Sequence, residues 1–402
     1  MSTNAYRAIG ACRLCESRDL EEVWNLGEQW VVDYLEEGQD GFKAPLVVVL
    51  CRGCGLAQLQ HTVDRDLLYR KYFYRSGTSE TMRQALKETV EGALAHLGDH
   101  PSFACDIGAN DGTLLSFLPE DCYRIAFEPA KNIIPESADH IIRDYFTAAA
   151  YPGDRSLPAD LIFSIAMFYD VDDPGTFIED VEQTLDLDGV WVCQQNFLGP
   201  VMRNNAFDFL SAEHIALWDL PTFAKAVADA GLEVFDLDEL PLNGGTYRVY
   251  VDHKGQRPVT PRVAEYVARD GEYSSASAWR RLKQRVYANG IRLRGDLNDL
   301  KAQGKTVAVL GASTRGNSLL QAYGLSVAEL PYASDRDPNK WGRKMAGTNI
   351  PILSEEEARG RHPDYFLVLP YTYIAQIRER EREFLDRGGR FIVPLPVAKV
   401  VN

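Results

Sequence analysis

Four cysteines stand in two matched pairs, Cys12-Arg-Leu-Cys15 and Cys51-Arg-Gly-Cys54, with 35 residues between them. Two residues between cysteines let both sulfurs of a pair face one ion from a tight turn, and two such turns complete a tetrahedral thiolate site for zinc. Gly53 and Gly55 give the second turn its freedom. Sulfur fills all four positions and leaves no place for water, so the expected zinc is structural. A second constellation, Asp106-Ile-Gly108-Ala-Asn110-Asp-Gly112-Thr113, lies between a strand and a helix. Its spacing is D-x-G-x-x-x-G, without the middle glycine of the dinucleotide fingerprint. This looser turn suits a bulkier, less charged ligand than a pyrophosphate. Glu128 ends the next strand, 22 residues after Asp106. A carboxylate there can accept both hydroxyls of a ribose.

A second glycine loop, Gly311-Ala-Ser313-Thr-Arg315-Gly-Asn317, again joins a strand to a helix. Backbone N–H groups at a helix N-terminus suit an anion, and Arg315 adds a planar fork for phosphate. Lys340 and Arg343 bring more positive charge to the same region. Between the two loops, Gln194-Gln195-Asn196 closes a strand, and the polar stretch beyond it contains Glu213-His214. Ligands of open α/β sheets bind at strand C-terminal ends, and a neutral imidazole can take a proton near pH 7.

The elements that must position these groups follow from periodicity. Met82, Ala85, Leu86, Val90, Ala93, Leu94 and Leu97 recur at helical spacing. Strands are expected at 103–107, 123–128, 141–142, 160–165 and 190–195, with helices at 113–118, 174–186 and 221–230. Strands at 232–237 and 246–251, with no helix between them, predict an antiparallel pair at one edge of a parallel sheet. After a linker at 255–261, Trp279, Val286, Leu293 and Leu300 fall seven apart on one long helix that also carries Gly290 and Gly295. A second alternating block follows, with strands at 306–310, 331–334, 364–369 and 390–394 and helices at 316–323 and 374–387.

The 402 residues are 45% apolar and 25% charged, ordinary for a folded soluble protein. Against 43 Lys and Arg stand 58 Asp and Glu, a formal charge of −15. That balance disfavours nucleic acid, because phosphate neutralisation needs clustered cations, and it disfavours an anionic membrane surface. No apolar run approaches the ~20 residues of a membrane span, and the start has no apolar leader. An odd total of seven cysteines argues against a disulfide framework. The expected location is the cytoplasm.

The first glycine loop and the acidic residue after it resemble motif I and its successor in class I S-adenosylmethionine methyltransferases. The resemblance implies that Gly108, Asn110 and Gly112 surround this cofactor. It puts Asp106 near the amino-acid end, Glu128 at the ribose and Asp144 near the adenine. The order of motifs along the whole chain is similar to that of the C-methyltransferases acting on nucleotide-linked deoxysugars. After the cysteine pairs come Tyr69-Arg-Lys-Tyr72-Phe-Tyr74, the Gly108–Leu115 loop, the Glu-His pair and Asn243-Gly-Gly-Thr-Tyr-Arg248. Then follow the Gly311 loop, Asp335-Arg-Asp-Pro-Asn-Lys340-Trp-Gly-Arg343 and Gly347-Thr-Asn-Ile-Pro351.

The implied fold is α/β in three parts: a zinc-binding module at 1–70, a class I methyltransferase domain with a seven-stranded Rossmann-like sheet at 71–255, and a smaller Rossmann-like α/β domain at 256–402. The implied base is His214, with Glu213 beside it and Tyr169 in the site. The resemblance places Tyr72, Tyr74, Asn196, Ser313, Arg315, Asn317, Lys340 and Arg343 around a small nucleotide-sugar substrate, with no obligate protein partner. Three departures bear on the substrate. Ala212 stands where members commonly have a second histidine, Ser211 where some have tyrosine, and Tyr169 where sugar enzymes often have histidine. Rival readings are an O- or N-methyltransferase on the same scaffold, an NAD-dependent sugar oxidoreductase, and a zinc adaptor without catalysis. The missing glycine disfavours the second, and two ligand-shaped loops disfavour the third.

Overall fold

A computed structural model describes residues 5–402 apart from 32, 33, 37, 40, 73 and 153–156. Phe73, within the tyrosine-rich stretch, lies outside the described residues.

The central sheet has seven strands, ordered Leu232–Leu240, Thr246–His253, Leu185–Gln195, Ala159–Ile165, Phe103–Ile107, Tyr123–Phe127 and His140–Ile142. Only Thr246–His253 runs against its neighbours. Its inner strands are buried without a break, as at Val190–Gln195, which is the pattern of a sheet covered on both faces. The helix Glu80–Leu97 covers one face with Ala85, Leu86, Val90 and Ala93. It starts where the Ser79 side chain accepts from the Met82 N–H and stops at Gly98, whose φ of 74° only glycine adopts freely.

The helix expected at 113–118 is a single 3-10 turn, Leu115–Phe117. Pro119 follows, and the residue before a proline is pushed out of the helical region; Leu118 is extended, with ψ 156°. The helix expected at 374–387 is broken into Ile374–Arg380 and Arg382–Asp386. At the break, the buried carboxylate of Glu381 accepts from Arg359 at 2.7 and 2.9 Å and from Arg380 at 3.0 Å.

The C-terminal sheet has six strands, in the order Ile352–Ser354, Ala333–Asp335, Val307–Leu310, Tyr365–Val368, Arg390–Val393 and Lys399–Val401. The last is antiparallel, and neither end strand was expected from periodicity. The long helix is Ala276–Ala302, with Trp279, Leu282, Val286, Leu293 and Leu297 buried.

The N-terminal stretch forms a four-stranded antiparallel sheet from Leu20–Trp30, Lys43–Cys51, Ala57–Leu59 and, from far along the chain, Ala216–Leu217. Tyr34–Leu35 pairs with Lys344–Met345 of the C-terminal stretch. Backbone hydrogen bonds therefore join the N-terminal stretch to both later ones. Among the described residues, no helix is long and apolar enough to cross a membrane.

The two glycines of the long helix have opposite surroundings. A Cβ on Gly295 meets nothing within 4 Å, whereas one on Gly290 falls 2.6 Å from the Tyr323 ring. That ring is held in place by a 3.0 Å hydrogen bond from Asn289. Gly295→Ala should stabilise the chain by about 0.5–1 kcal/mol through helix propensity. Gly290→Ala should destabilise it, because overpacking costs about 1–3 kcal/mol. Thermal unfolding of both variants checks the opposite signs.

Candidate functional site

The first glycine loop follows Phe103–Ile107 and turns through Gly108 (φ 76°), Asn110 (φ 51°) and Gly112 (φ 79°). At Gly112 a Cβ would lie 3.0 Å from the backbone of residues 135–137, so only glycine fits. Glu128 organises the loop. Its two carboxylate oxygens accept from the backbone N–H groups of Asn110 and Ala130, each at 2.7 Å. Burial raises its pKa, and these two N–H groups partly offset that. Asp106 is buried beside it, and its carboxyl is pushed up to about 8 by burial and by the nearby Glu128 and Asp111.

Over this loop runs the tyrosine-rich stretch. Asn110 accepts from the Ser76 N–H at 3.0 Å and donates to the Tyr74 carbonyl at 3.0 Å. Asp111 accepts from the Gly77 N–H at 2.8 Å. Asn132 exchanges hydrogen bonds of 3.0 and 2.7 Å with the backbone of Tyr72. Tyr72 and Tyr74, expected around the substrate, are thus fastened across the first glycine loop. Asp144 sits at the outer end, accepting from Arg70 at 3.2 Å.

The strand Ala159–Ile165 pairs in parallel with Phe103–Ile107, so its C-terminal end comes out beside the loop. A Cβ on Gly108 would touch Met167 at 3.4 Å, and Tyr169 follows two residues later. The Tyr169 ring lies edge-on 4.2 Å from the His214 ring, Phe209 stacks on the imidazole at 4.5 Å, and the two aromatic rings meet each other at 5.3 Å. Nδ1 of His214 is 2.5 Å from the Phe209 carbonyl. A carbonyl cannot donate, so Nδ1 carries the hydrogen and Nε2 keeps its lone pair. Burial pushes the imidazole pKa down to about 3; the Phe209 carbonyl opposes this and Arg315 adds to it. The ring is neutral throughout the physiological range and can accept a proton at Nε2.

Asp170, for which the sequence suggested no role, adjoins Glu213. Its carboxyl is held well above its usual range, by burial first and by Glu213 second, and its Oδ1 is buried without a partner.

The second glycine loop comes to the same place, but its cations are engaged. Arg315 forks onto Asp208 with two 3.0 Å bonds and also donates to the Asn243 carbonyl. Lys340 donates to the Ala312 carbonyl at 2.8 Å and pairs with Asp335 at 3.2 Å. Arg343 pairs with Glu36 at 3.0 Å. Each of these three cations, expected around the substrate, thus faces a carboxylate or carbonyl within the fold. Ser313 caps its helix by accepting from the Gly316 N–H at 3.1 Å. Asn196 spends its amide N–H groups on the carbonyls of Asn243 and Gly245, at 2.8 and 2.6 Å.

Asn317 is different. Its Oδ1 and the hydroxyl of Ser211 are buried without partners. Both residues line a small recess of about 20 Å³, room for about one water molecule, together with Glu213, Trp30 and Gln321. Asp208, the counter-charge of Arg315, was missed because 107 residues separate the two.

At the N-terminal cysteines, the four sulfurs all lie within 4.8 Å of one another. Cys12 and Cys54 are 3.6 Å apart, and Cys15 and Cys51 are 3.5 Å apart. A tetrahedral ion with Zn–S bonds of about 2.3 Å needs sulfurs about 3.8 Å apart, so this donor set fits zinc. The Gln58 amide donates to the Cys12 sulfur at 3.1 Å, a contact that steadies a thiolate ligand.

Comparison with known proteins agrees. A family model described as "C-methyltransferase C-terminal domain" matches residues 241–396. Another, whose description names a zinc binding domain, matches residues 12–69. C-methyltransferase NovU of Streptomyces niveus is 30% identical over 416 residues, covering 98% of each chain. Among solved structures, the 1,6-didemethyltoxoflavin-N1-methyltransferase of Burkholderia thailandensis is 16% identical, with a TM-score of 0.34 over 50% of this chain and 95% of that one. An S-adenosylmethionine-dependent methyltransferase of Clostridium acetobutylicum is 10% identical, with a TM-score of 0.35 over 43% of this chain and 92% of that one. Likeness at that level has no bearing on what this chain does.

Purified protein should carry one equivalent of zinc per chain. Cys15→Ser should lose it, and metal analysis beside a melting curve checks both the content and the accompanying loss of stability.

Proposed function

The chain belongs to the C-methyltransferase family, and on that premise we propose that it methylates carbon beside the ketone of a nucleotide-activated keto-deoxysugar, with His214 as the base. S-adenosylmethionine supplies the electrophilic methyl group on a sulfonium. His214 Nε2 takes the proton from the carbon next to the ketone. The enolate carbon so formed is the nucleophile. Tyr169 and Phe209 pack against the imidazole as one cluster of three touching rings, and the Phe209 carbonyl holds the Nδ1 hydrogen.

The observation that carries this reading is that locked, neutral imidazole, reached from the first glycine loop by way of Met167 and Tyr169. A base with a low pKa removes a proton only where the carbon acid is itself activated and the proton is well placed, so orientation contributes much of the rate. The first glycine loop is the cofactor site, with Asp106 at the ammonium end, Glu128 at the ribose and Asp144 near the adenine. The Ser211 hydroxyl and Asn317 carbonyl oxygen, unpartnered beside a recess with room for about one water molecule, favour a hydroxyl group over an apolar one at that point of the acceptor. Arg315, paired with Asp208, serves as part of the wall and not as a free phosphate clamp. The enzyme works in the cytoplasm on a small molecule.

Two outcomes follow. With ¹³C-methyl-labelled cofactor and a nucleotide-linked keto-deoxysugar, the product should show the label on a methyl bonded to carbon. A methyl bonded to oxygen or nitrogen would favour the rival acceptors. The Asp106 carboxyl, pushed up to about 8, is largely protonated at neutral pH, and a cationic ammonium beside it favours the ionised form. Binding below pH 8 therefore expels a proton. Cofactor affinity should strengthen as pH rises toward about 8 and level off above. Calorimetric titration on either side of that pH checks the sign, and Asp106→Asn should abolish the dependence.

A further inference from the structure

Arg13 sits inside the first zinc turn, between Cys12 and Cys15, yet its side chain is only 2% exposed. Its guanidinium faces two ways. In one direction Nη1 donates to the Leu59 carbonyl at 2.6 Å and to the Gln58 side-chain oxygen at 3.2 Å. Gln58 and Ala57 pair with Ala216 and Leu217, and the Leu59 N–H donates to the Ile215 carbonyl at 2.9 Å. Those three partners follow His214 directly in the chain.

In the other direction Nε reaches Asp172 at 3.1 Å, and Nη2 donates at 2.6 Å to Thr62, whose hydroxyl also reaches Asp172 at 3.3 Å. Asp172 is three residues beyond Tyr169. The loop bearing His214 and the loop bearing Tyr169 thus share one anchor. The Arg13 N–H (3.1 Å to the Gln58 oxygen) and the Gln58 amide on the Cys12 sulfur tie that anchor to the metal ligands.

We propose that Arg13 is a positioning residue for the imidazole: the zinc turn holds its backbone, and its buried guanidinium clamps the two loops so that the Tyr169 ring meets His214 at the observed 4.2 Å. The zinc module then acts on the site it adjoins and is more than an independent fold stabiliser. The geometric part stands on its own, and the kinetic part rests on His214 being the base. Arginine is suited to the task because its planar fork reaches acceptors in two directions from one buried cation, a reach that the compact ammonium of a lysine matches only in part.

The test uses zinc-loaded full-length chain with Arg13→Met, which keeps the apolar stem and removes the donors. Nitrogen-15 spectra of the histidine rings are recorded, with the His214 signals identified by their loss in His214→Asn. Wild type should show one neutral tautomer with hydrogen on Nδ1. The variant should show mixed tautomers and a titration moved back toward the ordinary histidine range. Zinc content should stay at one equivalent and cofactor affinity within about twofold. The turnover number should fall about 10–100-fold, the scale of a misplaced reacting group, and Arg13→Lys should recover part of it.

If Arg13→Met fails to fold or loses zinc, Asp172→Ala removes the acceptor shared by Arg13, Thr62 and Arg7 while leaving every residue of the cysteine turn in place, and should give the same two changes. A zinc-loaded variant with wild-type imidazole spectra and wild-type turnover overturns the proposal. Altered spectra with unchanged turnover overturn instead the assignment of His214 as base, and with it the clamp's catalytic role.

Discussion

Two residues of backbone pairing, Ala216 with Gln58 and Leu217 with Ala57, decide where the polar stretch after the fifth strand comes to rest. Without that pairing, a long connection at the C-terminal edge of the sheet would have many possible courses, because loop closure penalises length only weakly. With it, the chain leaving His214 is held by the same small sheet that carries the cysteines. Two structures thus meet here: the large sheet presents Gly108 beside Met167, and the N-terminal sheet holds the chain just beyond the imidazole.

Burial sets the chemistry that the assembled site can perform. Desolvation disfavours charge, so it raises carboxyls and lowers imidazoles. Asp106, Asp170 and His214 are each shifted toward the neutral form for that reason. Arg315, a permanent cation close to His214, is brought in already matched by Asp208, with Tyr371 also donating to that carboxylate at 3.1 Å. An unpaired buried guanidinium would have been costly, and a paired one tolerates burial. The same pairing explains why the loop that reads as a phosphate cradle offers no open fork.

Much of the architecture was legible because it is periodic. The inner strands are apolar runs, the helix Glu80–Leu97 has a clean stripe and a serine cap, and the helix Ala276–Ala302 repeats every seven residues. The thiolate site was legible because both pairs of ligands are local in sequence. What could not be read were contacts between distant residues. The strand Ala216–Leu217 is too short to carry a pattern. Arg13 looks like filler between two cysteines until its buried fork is seen on Asp172 and Leu59. Asp208 declares itself only when Arg315 arrives from the C-terminal stretch. The helix after the first glycine loop shrank to one turn because Pro119 governs Leu118, a local signal outweighed in the reading by the apolar residues before it.

The central claim is that His214 makes the carbanion, and proton exchange tests it apart from methyl transfer. The enzyme is incubated in D₂O with a nucleotide-linked keto-deoxysugar and a cofactor analogue that cannot give up its methyl group. Wild type should wash deuterium into the carbon beside the ketone. His214→Asn should exchange about 10²–10⁴-fold more slowly, the usual worth of a positioned base, while binding the analogue as before. Exchange by the variant at the wild-type rate would contradict the account and move the base elsewhere in the site.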